Sequence, residues 1–263
     1  MAEVVIVKKA DGIVTLLLNR PEAFNALNMD MVESLTANAI TLAADEGVRG
    51  IIISGEGKAF CAGGDLRWTL AFPHGIYAAF HELAGRFHQA ILEIRRMPKP
   101  VIAAVNGIAA GAGFPLALAC DFRVMAKSAA FRQAYTSSGL SIDGGGSFTL
   151  PRMVGLARAM EIMAFDRPIS SEQALSWGLA TKVVDDGSAL EEATRMALEL
   201  AACSMNSFGW SKKLLTDSFD TSFETQMERE RTGIAGCAVH ADGSEGLRAF
   251  SEKRKPLFNR GKS

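Results

Sequence analysis

The sequence predicts an α/β fold whose C-terminal part is mostly helical. Three observations carry this. Short continuous apolar runs, "GIIISG" (50–55) and "VIAAV" (101–105), have the pattern of strands buried on both faces. Longer stretches between them repeat apolar residues at helical spacing. Glycine-rich turns then follow the apolar runs, as in a chain that alternates strands and helices.

Taken in order, "VVIVKKADGIVTLLL" reads as a hairpin, two β-rich runs around Asp11-Gly12. Asn28 is placed to cap a helix with Asp30 in its first turn and Met31, Leu35 and Leu42 on its buried face. His74 to Met97 is helical in pattern, and Pro98 and Pro100 close it. After "VIAAV" come a glycine-rich turn, a helix opening near Gly111, and the strand "DFRVMA". Beyond about Arg152 the segments "PRMVGLARAMEIMAF", "SSEQALSWGLA" and those from Leu190 onward read as helices. No linker, low-complexity tract or fixed-period repeat interrupts the chain. One core over residues 1–200 with a helical region over 201–263 is expected.

Composition narrows the function. The chain has 263 residues, is 48% hydrophobic and 22% charged, and carries a net charge of −1, which suits a globular protein with a sizeable core. It lacks the basic stripe that a nucleic-acid partner calls for. Cys61, Cys120, Cys203 and Cys237 are far apart and form no CxxC pair, so reduced thiols in a cytoplasmic protein are expected and a metal site is not. The start of the sequence lacks a signal-peptide pattern, and the longest apolar segment, Ile108 to Cys120, is too short to span a membrane.

Two glycine-rich stretches suggest chemistry. "KAFCAGGDL" (58–66) and "VNGIAAGAGFPLALACDF" (105–122) each turn on small residues, the second after "VIAAV". In the second, Pro115 falls in the first helical turn, where its missing N–H has no helical partner anyway. Side by side, two such loops can aim two backbone N–H donors at one oxygen, an oxyanion hole. Either loop alone also reads as a tight packing turn. A third stretch, "GLSIDGGGSF" (139–148), sets Asp143 before three glycines, either as a working carboxylate or as the N-cap of the next helix.

With "NRPEAFNAL", "AAFRQAYTSSGLSIDGGGSFTLPRMVGLARAM", "SSEQALSWGLATKVV" and "DGSEGLRAFSEKRKPLF", these stretches make a co-linear set over almost the full length. The chain resembles the enoyl-CoA hydratase/isomerase family, the crotonase superfamily. The resemblance implies a spiral of repeated ββα units and C-terminal helices that build trimers, often hexamers. It implies a coenzyme A thioester as substrate, with no separate cofactor. The oxyanion-hole N–H groups would belong to Gly64 and Ala112. Lys58, Ala59, Phe60, Ala62, Asp65, Leu66 and Gly111 would line the substrate path, and Phe250 and Lys253 would reach the CoA from a neighbouring subunit.

The chain departs from the hydratase pattern. Hydratases of the family activate water with two glutamates; Pro115 and Tyr135 stand at those positions. A proline cannot move a proton, and an unperturbed tyrosine, with a pKa near ~10, is a poor base at neutral pH. Asp143 is the remaining candidate. In the ring-1,2-epoxyphenylacetyl-CoA isomerase branch an aspartate at this position is the acid/base. In the 4-chlorobenzoyl-CoA dehalogenase branch it is a nucleophile, accompanied by an aromatic residue and a histidine at the Tyr135 and His88 positions. Isomerisation is the leading expectation. The alternatives are hydrolytic displacement on an aromatic acyl-CoA, hydration by an atypical route, and a catalytically idle acyl-CoA-binding subunit. His74, His81 and His88 recur every seven residues on one helix, ~10 Å apart along its axis and too far for one metal ion. Glu82, Trp68, Phe72, Phe80 and Phe114 are candidates for the wall of an acyl pocket.

Overall fold

The computed structural model describes residues 3–259. The chain starts with β1 (Val5–Ala10) and β2 (Ile13–Leu18), antiparallel around Asp11-Gly12, and continues through α1 (Met29–Ala44). Asn28 caps α1 by accepting the Met31 N–H at 3.1 Å, and Met31, Leu35 and Leu42 are buried. Next come β3 (Gly50–Gly55), β4 (Ala59–Cys61), α2 (Leu66–Leu70) and α3 (Gly75–Arg96). The same order repeats in β5 (Val101–Val105), β6 (Ile108–Ala110) and α4 (Gly113–Ala119). It repeats again in β7 (Phe122–Ala126), β8 (Ala130–Arg132), α5 (Gly146–Val154) and α6 (Leu156–Phe165).

This is the crotonase spiral. Within each repeat the first strand joins a large sheet and the second a small one. The large sheet runs β1-β2-β3-β5-β7 and ends on a sixth strand; the small one begins β4-β6-β8. Parallel pairing such as Ile51 with Val101 and Ala109 with Phe131 sets each turn of the spiral beside the last. The buried runs Gly50–Gly55 and Val101–Val105 sit mid-sheet, which is why neither alternates with polar residues.

After Arg152 the helical reading needs two corrections. β9 (Ile169–Ser170) precedes α7 (Ser171–Ser176) and closes the small sheet, and β10 (Lys182–Val184) completes the large sheet beside β7. The segment "PRMVGLARAMEIMAF" is two helices, broken at Gly155, whose φ of +76° lies in the left-handed region. α8 (Ala189–Ala201) lays Ala189, Ala193, Ala197 and Ala201 on the large sheet, a stripe of small residues that lets the helix approach closely. α9 (Met205–Asp217), α10 (Phe223–Val239) and α11 (Ala241–Ser251) follow. Ile234, Val239, Leu247 and Phe250 on α10 and α11 are all exposed. Among the described residues no helix is long and apolar enough to cross a membrane.

Candidate active site

The site forms where equivalent turns of the spiral meet. The chain leaves β4 through Ala62–Gly64 and leaves β6 through Gly111–Ala112. A Cβ on Gly63 would lie 3.2 Å from the Ala112 nitrogen and 3.0 Å from the Ala110 oxygen, so the two turns touch backbone to backbone and only glycine fits. Gly63 also holds φ +102°.

The two candidate donors are free for different structural reasons. Gly64 forms a parallel bridge with Leu27 that uses the flanking groups: Leu27 N–H donates to Gly63 O at 2.7 Å, and Asp65 N–H donates to Leu27 O at 2.9 Å. The N–H of Gly64 itself points away from that bridge. Ala112 is the N-cap of α4, where helical N–H groups lack partners. Among the described residues neither N–H donates to a protein acceptor.

Both face a cavity of about 160 Å³ bounded by Leu66, Phe80, Leu83, Phe87, Tyr135 and Asp143, among others. Among the described residues Asp143 is the only carboxylate in its lining. It does not cap α5; Gly145 holds that position, with no side-chain bond. Instead its Oδ1 accepts a short hydrogen bond from the Tyr135 hydroxyl. Burial pushes the Asp143 carboxyl above its ordinary value, against the opposing pull of Tyr135 and His88. Burial and the Asp143 charge push the Tyr135 phenol up as well, so Tyr135 stays a protonated donor. Burial holds the Cys61 thiol at about 12, which keeps it neutral.

The other candidates separate by where their side chains go. Ala62, Leu66 and Gly111 line the cavity; Lys58 is exposed before β4, and Ala59 and Phe60 are buried within that strand, leaving only their backbone for a ligand. The Asp65 carboxylate is fully engaged: it caps α2 through the N–H groups of Arg67 and Trp68 and pairs with Arg20 at 2.9 Å. Asp65 therefore braces the loop and is absent from the cavity lining. Phe80 is in the wall, whereas Phe114 is fully buried and stacks on Phe131 at 4.7 Å, and Trp68 packs on Phe72 at 4.9 Å. Glu82 is exposed.

His88 does not face the cavity beside Asp143. Its Nε2 accepts the Gly144 N–H at 3.1 Å, from the other side of the glycine loop. His74 and His81 lie on the surface near Phe72 and Tyr77. Phe250, 86% exposed, and the exposed Lys253 do not line the cavity of their own chain. Sequence reasoning missed Asn25, which is fully buried at φ +57°. Its amide donates to Glu56 O and Ala59 O at 2.9 and 2.8 Å, tying "NRPEAFNAL" to the strand that carries Gly64.

The sequence profile described as "Enoyl-CoA hydratase/isomerase" matches residues 8–261. The chain belongs to that family. The family is an enzyme family, the crotonase superfamily. Within the family the chain is 36% identical to 1,2-epoxyphenylacetyl-CoA isomerase of Escherichia coli (strain K12), over 98% of this chain and 99% of the relative. It is 31% identical to 4-chlorobenzoyl coenzyme A dehalogenase-2 of Arthrobacter sp, over 94% and 90%. A crystal structure of an enoyl-CoA hydratase from Polaromonas sp. JS666 superposes with a TM-score of 0.92 at 37% identity, covering 97% of this chain and 99% of that one.

Proposed function

We infer that the protein is an acyl-CoA isomerase in which Asp143 carries the proton. The thioester carbonyl would sit at the N–H groups of Gly64 and Ala112. Asp143 takes a proton from a carbon next to, or conjugated with, that carbonyl and returns it at another carbon. Negative charge then develops on the thioester oxygen, and two fixed donors stabilise it more than they stabilise the ground state, each worth about 3–4 kcal/mol in comparable sites. A carboxyl raised by burial is a better base than a free aspartate and a usable acid for the return step.

The observation that carries this reading is a single one: among the described residues the cavity lined by Gly64 and Ala112 contains one carboxylate, which caps no helix and forms no salt bridge. Two-glutamate hydration lacks its residues, since Pro115 and Tyr135 fill those places. Hydrolytic displacement needs His88 as a base toward the same cavity, and its Nε2 is occupied by Gly144.

The rest of the assignment follows the family. The exposed apolar residues of α10 and α11 suit a trimer built by residues 201–263, with Phe250 and Lys253 presented to a neighbour's CoA. A few local cations suffice for CoA phosphates despite the near-neutral charge. The four cysteines are unpaired, which suits a reducing compartment such as the cytoplasm. A turnover screen over aliphatic enoyl-CoAs, 4-halobenzoyl-CoA and ring-epoxide phenylacetyl-CoA tests the reading. Isomerisation with negligible crotonyl-CoA hydration is expected; efficient hydration or dehalogenation contradicts it.

A further inference from the structure

We propose that Phe87, closed against Gly144 and Pro115, is a wall that limits the acyl group to a six-membered ring or a chain of about six carbons, and that removing it admits long chains. The size comparison comes from apolar cavities of about 150 Å³, which take up benzene. The inference rests on the reading above, that an acyl-CoA thioester occupies the cavity at Gly64 and Ala112.

Two cavities lie in succession along α3. The first, about 160 Å³, takes Leu83 and Phe87 from the helix and Asp143 from the loop. The second, about 450 Å³, takes His88 and Ile91 from the helix and Gly144 and Gly145 from the loop. Neighbouring residues of the helix, and of the loop, thus face opposite cavities, and the partition is one residue thick. It is also tightly closed. A Cβ on Gly144 would sit 2.6 Å from Phe87 Cε1 and 3.1 Å from Pro115 Cβ. Gly144 holds φ +59°, and His88 fastens its N–H from the far side at 3.1 Å. Phe87 is 2% exposed, so away from the first cavity its ring meets packed protein.

The first cavity must hold the thioester carbonyl as well as the acyl group, which leaves no room for an extended chain. The second cavity is lined by Ile91, Leu92 and Phe148 together with the charged residues Arg95, Arg96, Asp217 and Asp220. With Phe87 cut back, a chain passing the partition meets those three apolar side chains. Pro115 thus has a use although it cannot move protons: it packs against Gly144 behind the Phe87 wall.

The test is a binding ladder by titration calorimetry with hexanoyl-, phenylacetyl- and dodecanoyl-CoA, saturated in the chain so that no double bond can shift. The wild type is expected to bind the two compact thioesters at least tenfold more tightly than dodecanoyl-CoA. In Phe87→Ala that ratio should fall to within about threefold. Phe87→Leu keeps more of the packing and serves where Phe87→Ala does not fold, as judged by circular dichroism. A wild type that binds dodecanoyl-CoA as tightly as hexanoyl-CoA overturns the proposal, and so does a folded variant that keeps the wild-type ratio. Binding of none of the three thioesters overturns the CoA-thioester reading and the wall with it. Binding does not depend on Asp143 chemistry, so a selective ladder stands even if the isomerase assignment fails.

Discussion

Asp121 lies where Lys212 of α9 meets the end of α3 and the turn before β5, and Asp143 lies in the glycine loop that edges the cavity. Burial pushes both carboxyls above the ordinary range. Their surroundings then diverge. Asp121 Oδ2 accepts from Lys212 Nζ and from the Val101 N–H, each at 2.8 Å, and Lys212 also donates to the Ile94 and Lys99 carbonyls at 3.3 Å. This carboxylate pins the C-terminal helices to the core. Asp143 has the Tyr135 hydroxyl on one oxygen and a cavity beside it. Burial alone therefore does not mark a functional carboxylate. What marks it is an oxygen left without a donor where a ligand can arrive.

Exchanging the partners of each carboxylate sharpens the contrast. Asp143→Asn keeps shape and hydrogen-bond acceptance but cannot take a proton, so turnover should fall by roughly 10²–10⁴-fold, measured as kcat on whichever acyl-CoA the screen identifies. Lys212→Met leaves Asp121 buried and unpaired. That should cost about 3–5 kcal/mol in denaturant unfolding, with no comparable loss of kcat in the protein that remains folded.

Tyr135→Phe is expected to act more gently. The hydroxyl favours the ionised form of Asp143, so its loss raises the Asp143 pKa and moves the acid limb of the kcat/KM profile to higher pH. At neutral pH the rate should drop about tenfold, the worth of one hydrogen bond to a charged group. An unmoved pH profile would show that Tyr135 merely packs. The smallest effect concerns stability. Because folding raises the Asp143 pKa, the ionised carboxylate opposes folding, and its penalty grows as pH rises from the ordinary aspartate range through the raised value. Asp143→Asn removes that penalty. Its melting temperature should therefore exceed the wild type's at pH 8. The difference should vanish below about pH 4. The equivalent Lys212→Met comparison runs the other way.

The α/β core was legible because its main strands announce themselves, whereas the spiral was implied only by the resemblance to the family. Gly50–Gly55 and Val101–Val105 are too apolar to lie anywhere but mid-sheet, and the touching turns need glycine at Gly63 whatever else the sequence does. β10 was not legible: three half-buried residues between helical segments become a strand only because β7 offers a free edge. Side-chain direction was the other gap. Asp65 and Asp143 both adjoin glycine turns, and spacing gives no reason for one to cap a helix and pair with Arg20 while the other meets Tyr135. His88 shows the same limit, since its place on α3 was clear but the side of the loop it serves was not.

The central claim is that Asp143 moves a proton at a carbon activated by the thioester. The most direct measurement is proton NMR of phenylacetyl-CoA in deuterium oxide, following loss of the signal from the carbon next to the carbonyl. The wild type should catalyse that exchange, and Asp143→Asn should slow it by roughly 10²–10⁴-fold while still binding the thioester. Exchange at the wild-type rate in Asp143→Asn, or none in the wild type with the thioester bound, would contradict the account.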